Sequence, residues 1–520
     1  MDISSLSPEQ RYAFNKFTRG ENLFITGPGG TGKTNLIKYM VHWGDANNKK
    51  YQVCALTGCA ALLLNCGART IHSWSGIKLA KGPNDAIIRN VCRNRNVVAV
   101  WKKIQVLIVD EVSMMSKKIF DILEEIGRTI RRNSRPFGGI QVIFTGDFFQ
   151  LPPVGNITDP DTELFCFESE RWRDVFKMEN HIELVTMFRQ TDPIYANMLL
   201  EIRRGKISEE NKKILQNYVK REHVLNESGI VPTKLFATKN KVEYINNMFF
   251  DRLEEQSHEF KYKVSTDCIS YLDTGKIFPP EIMEKCRLMT FEEKQREVEY
   301  MVNNMPCSQT LVLKKGAVVM CTYNVDLEEG ICNGSQGIIV GFSTSSIGRI
   351  RPVVKFTNGI IITMEPQNWQ SDDYPCIAVT QYPLCLAWAL TIHKIQGATM
   401  NMAEMDVGNS IFEYGQVYVA LSRIKSLDGL YLQSFNPMKI KANPRVIEFY
   451  NSIPAFKIED YKDEEEKDKN GMANPEPPNF EDFAYKEETV FTKKVNMMKT
   501  PTFKVVKLNA NSELAEDSYV

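Results

Sequence analysis

"GPGGTGKT", residues 27–34, stands between the strand-like "NLFIT" (22–26) and the helix-like "NLIKYMVHW" (35–43). Strand, glycine-rich loop and helix in that order form an anion cradle. Loop N–H groups point inward, and the helix N-terminus adds its positive end. Gly27, Gly29, Gly30, Thr31 and Gly32 supply that backbone. Lys33 would then neutralise the β- and γ-phosphates of a nucleotide, and the Thr34 hydroxyl would ligate Mg²⁺. This reading decides the fold class, because such a loop needs a parallel sheet behind it.

The rest of the site is sought on neighbouring strands. "VLIVDEVSMMS" (106–116) carries four apolar residues into two acids. Asp110 is placed to hold Mg²⁺, and Glu111 to orient or deprotonate the attacking water. A further strand ends in "TGDFFQLPPV" (145–154), where the Gln150 amide can sense the γ-phosphate. Gln10, in "LSPEQRYAF" (6–14), has two readings. It is the partner of Ser7 in a capping box, or its amide matches the N6 and N7 edge of adenine.

Working outward, "YQVCALT" (51–57), "IQVLIVDE" (104–111) and "IQVIFTGD" (140–147) alternate with helical stretches such as "FDILEEIGRTIRR" (120–132). This predicts an α/β lobe over 1–165, with a short insertion at about 75–100. A second α/β block is expected at 166–330, opening with the helix "DPIYANMLLEIRRGKI" (192–207) and the strand "VPTKLFATK" (231–239). "GSQGIIVGF", "RPVVKF" and "GIIITMEP" are short strands split by glycine and proline, so a small β-barrel is expected at 331–382. The α/β pattern resumes over 383–453. Residues 454–520 are charged, proline-bearing and poor in branched aliphatics, and read as a disordered tail or as a docking segment for a protein partner.

With 520 residues, 43% hydrophobic and 25% charged, the composition is that of a globular protein of several domains. No apolar run approaches a membrane span, and "MDISSLSPEQ" lacks a signal-peptide pattern. An intracellular protein of nucleus or cytoplasm is therefore expected, with no membrane partner. Twelve cysteines without a Cys-x-x-Cys pair read as reduced thiols. The 64 basic and 64 acidic residues cancel, yet residues 451–520 hold 10 Lys against 15 Asp and Glu, leaving 1–450 at net +5. That asymmetry is weak support for a nucleic-acid partner.

The motifs together resemble a family. "GPGGTGKT", "ALTGCAALLL", "TIHSWSGI", "LIVDEVSM", "GDFFQLPPV", "ELVTMFRQTDPIYANMLLEIRRG", "LFATKNKVEYIN", "LKKGAVVMCTYN", "GICNGSQGIIV", "YPLCLAWALTIHKIQGATM" and "YVALSRIKSLDGLYL" run in the order of a superfamily-1B DNA helicase of the PIF (petite integration frequency) type. They cover most of residues 6–435. Ile395 departs from a small polar residue, and Trp74 from a common phenylalanine. The resemblance implies two RecA-like lobes with ATP between them and an SH3-like insertion at 331–382. It implies that Arg189 and Arg423 stabilise the transferring phosphoryl group, and that Gln396 and Gly397 lie at the nucleotide. It further implies that Thr57, His72, Thr391 and Lys394 meet DNA phosphates, while Trp74 or His393 stacks on or braces bases; His72 and Trp74 have the alternative reading of core residues. The implied activity is ATP-dependent 5′→3′ travel on single-stranded DNA and unwinding at single/double-strand junctions, in replication, repair, recombination or telomere maintenance. An RNA helicase, a protein-stripping translocase and a nucleotide-gated scaffold are the competing readings.

Overall fold

The computed structural model describes residues 5–454, apart from 224–231, 267–279 and positions 65, 79, 157, 306, 324, 327–328, 332–333, 346–347, 372–373 and 375. The first lobe is built on β1 (Leu23–Thr26), β2 (Tyr51–Ala55), β3 (Arg69–Thr70), β4 (Val106–Asp110), β5 (Gln141–Gly146) and β6 (His181–Glu183). They form one sheet in the order β3-β2-β4-β5-β1-β6, with every pairing parallel. Alternation along the strands explains why both faces are covered. Leu23, Ile25, Val53, Val106 and Ile108 enter one apolar cluster, with the helices Pro8–Thr18 and Lys33–Ala46. Phe24, Cys54, Leu107 and Val109 enter the other, which continues into the second lobe. Each fully buried large aliphatic or aromatic side chain contributes about 1.5–3 kcal/mol, which is why parallel strands read as unbroken apolar runs.

The first sheet extends past the boundary expected at 165. His181–Glu183 pairs in parallel with β1, beside the P-loop strand. Three residues are too few to display a period, so this strand exists only through its non-local partner. The helix Pro193–Arg203 that follows belongs with the second lobe, where the Tyr195 hydroxyl donates to the Leu421 carbonyl at 2.7 Å.

The second lobe starts its sheet with β7 (Thr233–Phe236). The chain then leaves through antiparallel strands: β8 (His258–Lys261), β9 (Lys263–Ser265), β10 (Thr310–Leu313), β11 (Val318–Cys321), β12 (Gln336–Thr344), β13 (Ile350–Phe356), β14 (Ile361–Thr363), β15 (Gln367–Gln370), β16 (Ala378–Gln381) and β17 (Leu384–Leu386). It returns through β18 (Ala389–Thr391), β19 (Ala403–Val407) and β20 (Leu430–Phe435), giving a parallel sheet β18-β7-β19-β20. The change of period expected at 331–382 therefore lies inside a larger excursion. Its main sheet, β14-β13-β12-β11-β17, reaches from Val318 to Leu386, with a two-stranded and a three-stranded sheet beside it.

After β20 the helix Pro444–Ser452 crosses back to the first lobe. The Phe449 ring stacks on Phe167 at 4.2 Å, and Arg445 pairs with Glu168 at 2.9 Å. The tail expected beyond it, from 455, lies outside the described residues. No described helix is long and apolar enough to cross a membrane. Eight cysteines among the described residues are free thiols, but Cys376 is disulfide-bonded, against the expectation of reduced thiols throughout. Local spacing could not reveal this, because a disulfide needs two β-carbons brought within bonding reach by the fold.

Candidate active site

The P-loop runs from the end of β1 into the helix Lys33–Ala46, with Gly32 (φ 78°) as the turning residue. Two other glycines are demanded by what packs on them. A β-carbon at Gly27 would lie 2.4 Å from the Leu184 carbonyl oxygen, and one at Gly30 would lie 2.6 Å from Cβ of Arg189. Both have positive φ, so no side chain is tolerated on either ground. Gly30 also accepts the Phe188 N–H at 2.9 Å, which seats the "FRQ" segment directly on the loop. Lys33 Nζ donates to the Gly27 and Pro28 carbonyls at 2.6 and 2.9 Å. Burial pulls its pKa down, opposed by the charges of Asp147, Glu111 and Asp110.

Asp110 closes β4 and accepts from the Thr145 hydroxyl of β5 and, at 2.9 Å, from the Glu111 N–H. Burial, with Glu111 as a like-charged neighbour, raises its pKa to about 6. Glu111 is held in left-handed backbone (φ 55°), a costly conformation for a residue with a β-carbon. Gln150 is buried in the turn after β5, and its Oε1 has no hydrogen-bond partner among the described residues.

The second lobe supplies the opposite wall. Gly29, Gly30, Gly32, Lys33, Thr34, Asp110, Glu111 and Gln150 share a cavity of about 510 Å³ with Phe188, Arg189, Gly397 and Arg423. Arg189 Nη1 donates to the Ser422 carbonyl at 3.1 Å. Arg423 is buried and held by the Val419 and Ala398 carbonyls and Ser422 Oγ, at 2.9, 3.3 and 2.8 Å. Burial lowers the pKa of both guanidiniums, that of Arg423 to about 10 with Arg189 adding repulsion. Two guanidiniums this close, partly stripped of water, form a site for concentrated negative charge. Gln396 reaches between the lobes: its Nε2 donates to Glu111 Oε2 and Ser113 Oγ, both at 3.3 Å. Its Oε1, like that of Gln150, has no partner among the described residues.

Thr34 and Asp110 line one cavity and offer a hydroxyl and a carboxylate. This hard-oxygen set suits Mg²⁺ bound largely through water, and a cation there would relieve the Asp110–Glu111 repulsion. Gln10 takes the capping reading: its Oε1 accepts from Ser7 N–H at 3.0 Å, completing the box. Its Nε2 goes further, donating to the Thr31 carbonyl at 3.0 Å, so the first helix is tied to the P-loop. Both ends of the amide are engaged, and an adenine contact requires exchanging one of these bonds.

The DNA-contact candidates divide. Thr57 is half-exposed and caps the helix Gly58–Leu64, its Oγ1 accepting from Ala60 N–H at 3.2 Å. Thr391 Oγ1 accepts from Lys394 N–H at 3.2 Å, so Thr391 closes a turn. His72, His393 and Lys394 are half-buried, and burial lowers the pKa of both histidines. Trp74 takes the core reading. It is 2% exposed and packs on Trp101 with ring centroids 4.7 Å apart, so it is a core residue and presents no face for a base. Ile395 is equally buried, at 1%. The departure from a small polar residue there falls on a side chain that faces the core.

One cluster was not singled out from sequence. Asp147, wholly buried after β5, accepts Arg203 Nε and Nη2 at 3.1 and 3.0 Å. Tyr418 OH donates to it at 3.0 Å and Tyr450 OH at 3.3 Å. Arg203 also pairs with Glu183 of β6 at 2.8 Å and lies 4.7 Å from the Phe149 ring and 5.0 Å from that of Tyr450. Tyr418 OH accepts the P-loop Gly29 N–H at 2.9 Å, and Tyr450 shares a hydroxyl hydrogen bond with Thr26. Asp147 and Tyr418 lie inside motif segments, but nothing in their spacing says that they meet.

Comparison with known proteins gives concordant findings. The family model described as PIF1-like helicase matches residues 5–213, and that of the DNA helicase Pif1 2B domain matches 299–342. The ATP-dependent DNA helicase PIF1 of Xenopus laevis is 34% identical over 451 residues, covering 86% of this chain and 64% of the relative. The chain thus spans slightly less than two thirds of that relative's length. The crystal structure of Pif1 helicase from Candida albicans superposes with a TM-score of 0.70 at 32% identity, over 87% of this chain and 100% of the other. That of Pif1 helicase from Bacteroides, in complex with ADP-AlF3 and ssDNA, gives 0.59 at 28%, over 86% and 97%.

Proposed function

The chain belongs to the PIF1-like helicase family, and from that membership we propose that it is an ATP-dependent DNA helicase, moving 5′→3′ on single-stranded DNA and opening duplexes at junctions. One observation carries the reading. The cavity that holds Lys33, Asp110, Glu111 and Gln150 of the first lobe is walled by Arg189 and Arg423 of the second. Hydrolysis is then complete only when the lobes meet, and the lobe movement is available to move a strand.

The division of labour follows from position. The P-loop N–H groups and Lys33 bind the β- and γ-phosphates. Thr34 and Asp110 would hold Mg²⁺, which would neutralise phosphate charge when bound. Glu111 orients the attacking water and accepts its proton, and Gln396 keeps that carboxylate in place from the other lobe. Arg189 and Arg423 stabilise charge growing on the phosphoryl oxygens, and Gln150 reports loss of the γ-phosphate. Single-stranded DNA, bound in the Bacteroides relative, crosses both lobes past Thr57 and His72 on one side and Thr391, His393 and Lys394 on the other.

Lys33→Ala is expected to lower DNA-stimulated ATP hydrolysis on the order of 10³-fold, the scale for removing a clamp from developing charge. Arg423→Ala should keep ATP binding and lose hydrolysis. The parent should unwind a 5′-tailed DNA duplex but neither a 3′-tailed one nor a 5′-tailed RNA. Unwinding at normal rate by Lys33→Ala, or a preference for the RNA, sinks the reading.

A further inference from the structure

The Gly29 N–H belongs to the phosphate loop of the first lobe, yet its partner, the Tyr418 hydroxyl, comes from the second. Tyr418 lies on the helix Gln416–Leu421, which leads directly into Ser422 and Arg423. The same hydroxyl donates to Asp147, three residues before Gln150 in the turn after β5. Tyr450 repeats the arrangement from the helix Pro444–Ser452, bonding to both Asp147 and Thr26, the residue before Gly27. Two phenols thus tether the two ends of the loop entrance to one carboxylate. Arg203, ending the helix that follows the Arg189 segment, neutralises that carboxylate.

We propose that Tyr418 and Tyr450 are positioning residues, which set the register between the P-loop and the arginine-bearing second lobe through the buried Asp147–Arg203 pair. The inference rests on the ATPase reading above and adds to it how the two halves of the site are aligned. Asp147 has no exposed surface and Arg203 is 3% exposed, so parting them would strand a charge away from water. The pair therefore persists through the cycle as the pivot, while the Arg189 and Arg423 tips advance and withdraw. A displacement of about 1 Å between loop and guanidinium is enough to cost on the order of 10²-fold in rate.

Tyr418→Phe and Tyr450→Phe in the full chain test this, each removing one oxygen and keeping the ring. ATP hydrolysis is measured with and without oligothymidylate, alongside thermal unfolding. Tyr418→Phe is expected to lower kcat about tenfold with the KM for ATP held within about threefold, the signature of an interaction that matters at the transition state. Tyr450→Phe should lower kcat less, because its tether acts one residue before the loop. A folded Tyr418→Phe protein whose kcat stays within about twofold of the parent, or whose KM alone rises, overturns the proposal. If Tyr418→Phe does not fold, Tyr450→Phe decides, and an unchanged kcat there overturns it. A parent whose hydrolysis ignores the oligonucleotide sinks the helicase reading instead, while basal hydrolysis still reports on the two tyrosines.

Discussion

"TIHSWSG" (70–76) in the first lobe and "TIHKIQG" (391–397) in the second each begin on the last residue of a strand and share several contacts, although Ile71–Ser75 is an α-helix and 392–397 a series of turns. In each, the threonine Oγ1 accepts the N–H three residues on, at 3.3 Å from Ser73 and 3.2 Å from Lys394. In each, the isoleucine is wholly buried, the histidine half-buried, and the fifth residue, Trp74 or Ile395, returns to the core. Both end on a glycine with positive φ, 76° and 84°. They part at the sixth position. Ser75 Oγ turns back to its own helix at Ile71 O, 2.6 Å away, whereas Gln396 crosses the cleft to Glu111. One arrangement thus closes on its own helix in the first lobe and reaches the cavity between the lobes in the second. A shared tripeptide fixes the turn, while the reach of one later side chain decides what the turn is connected to.

The fifth position carries the largest expected effect. Trp74→Ala should cost about 3–5 kcal/mol in urea unfolding, the range for emptying a core tryptophan site. The folded fraction should bind single-stranded DNA as before; weakened binding with intact stability would restore the base-stacking role. At the sixth position, Gln396→Ala should lower ATP hydrolysis on the order of 10²-fold, while Ser75→Ala leaves the rate unchanged and costs about 1 kcal/mol of stability. Equal effects from the two would show that Gln396 does not act through Glu111. The fourth position tests the surface: Lys394→Ala should weaken single-strand binding and reduce its salt slope by about 0.7, and Ser73→Ala should leave that slope unaltered.

The smallest effect concerns the two histidines, whose folded pKa values burial holds below 6.5. Below that pH the unfolded chain takes up protons that the folded chain resists. Stability is therefore complete above about pH 6.5 and falls on acidification, by at most about 1.4 kcal/mol per pH unit for each histidine. His72→Gln and His393→Gln should each flatten that acid slope in thermal unfolding.

Much of the nucleotide half was legible because its chemistry is local. A glycine loop before a helix, and acids or an amide directly after apolar strands, are written in consecutive residues. Gln10 was legible as a cap for the same reason, though its second bond, to Thr31, was not. The edge strand His181–Glu183 was missed because its three residues carry no period, and it is defined by pairing with β1. Trp74 shows the opposite case: an aromatic offered for base stacking faces inward because of Trp101, which packs on it from 27 residues later in the chain. The insertion was seen as a change of period, but its extent depends on β11 and β17, strands that flank it and pair only in space.

The amino-acid sequence by itself determined the alternating α/β blocks and the phosphate-binding loop, since strand runs, caps and glycine turns are short-range properties of the chain, and the order of its motifs carried the resemblance to the family. Tertiary structure alone decided which side chains meet: Gln396 with Glu111, and Asp147 with Arg203, Tyr418 and Tyr450. Those partners lie tens to hundreds of residues apart. Their meeting depends on packing two lobes against each other, which no local pattern encodes.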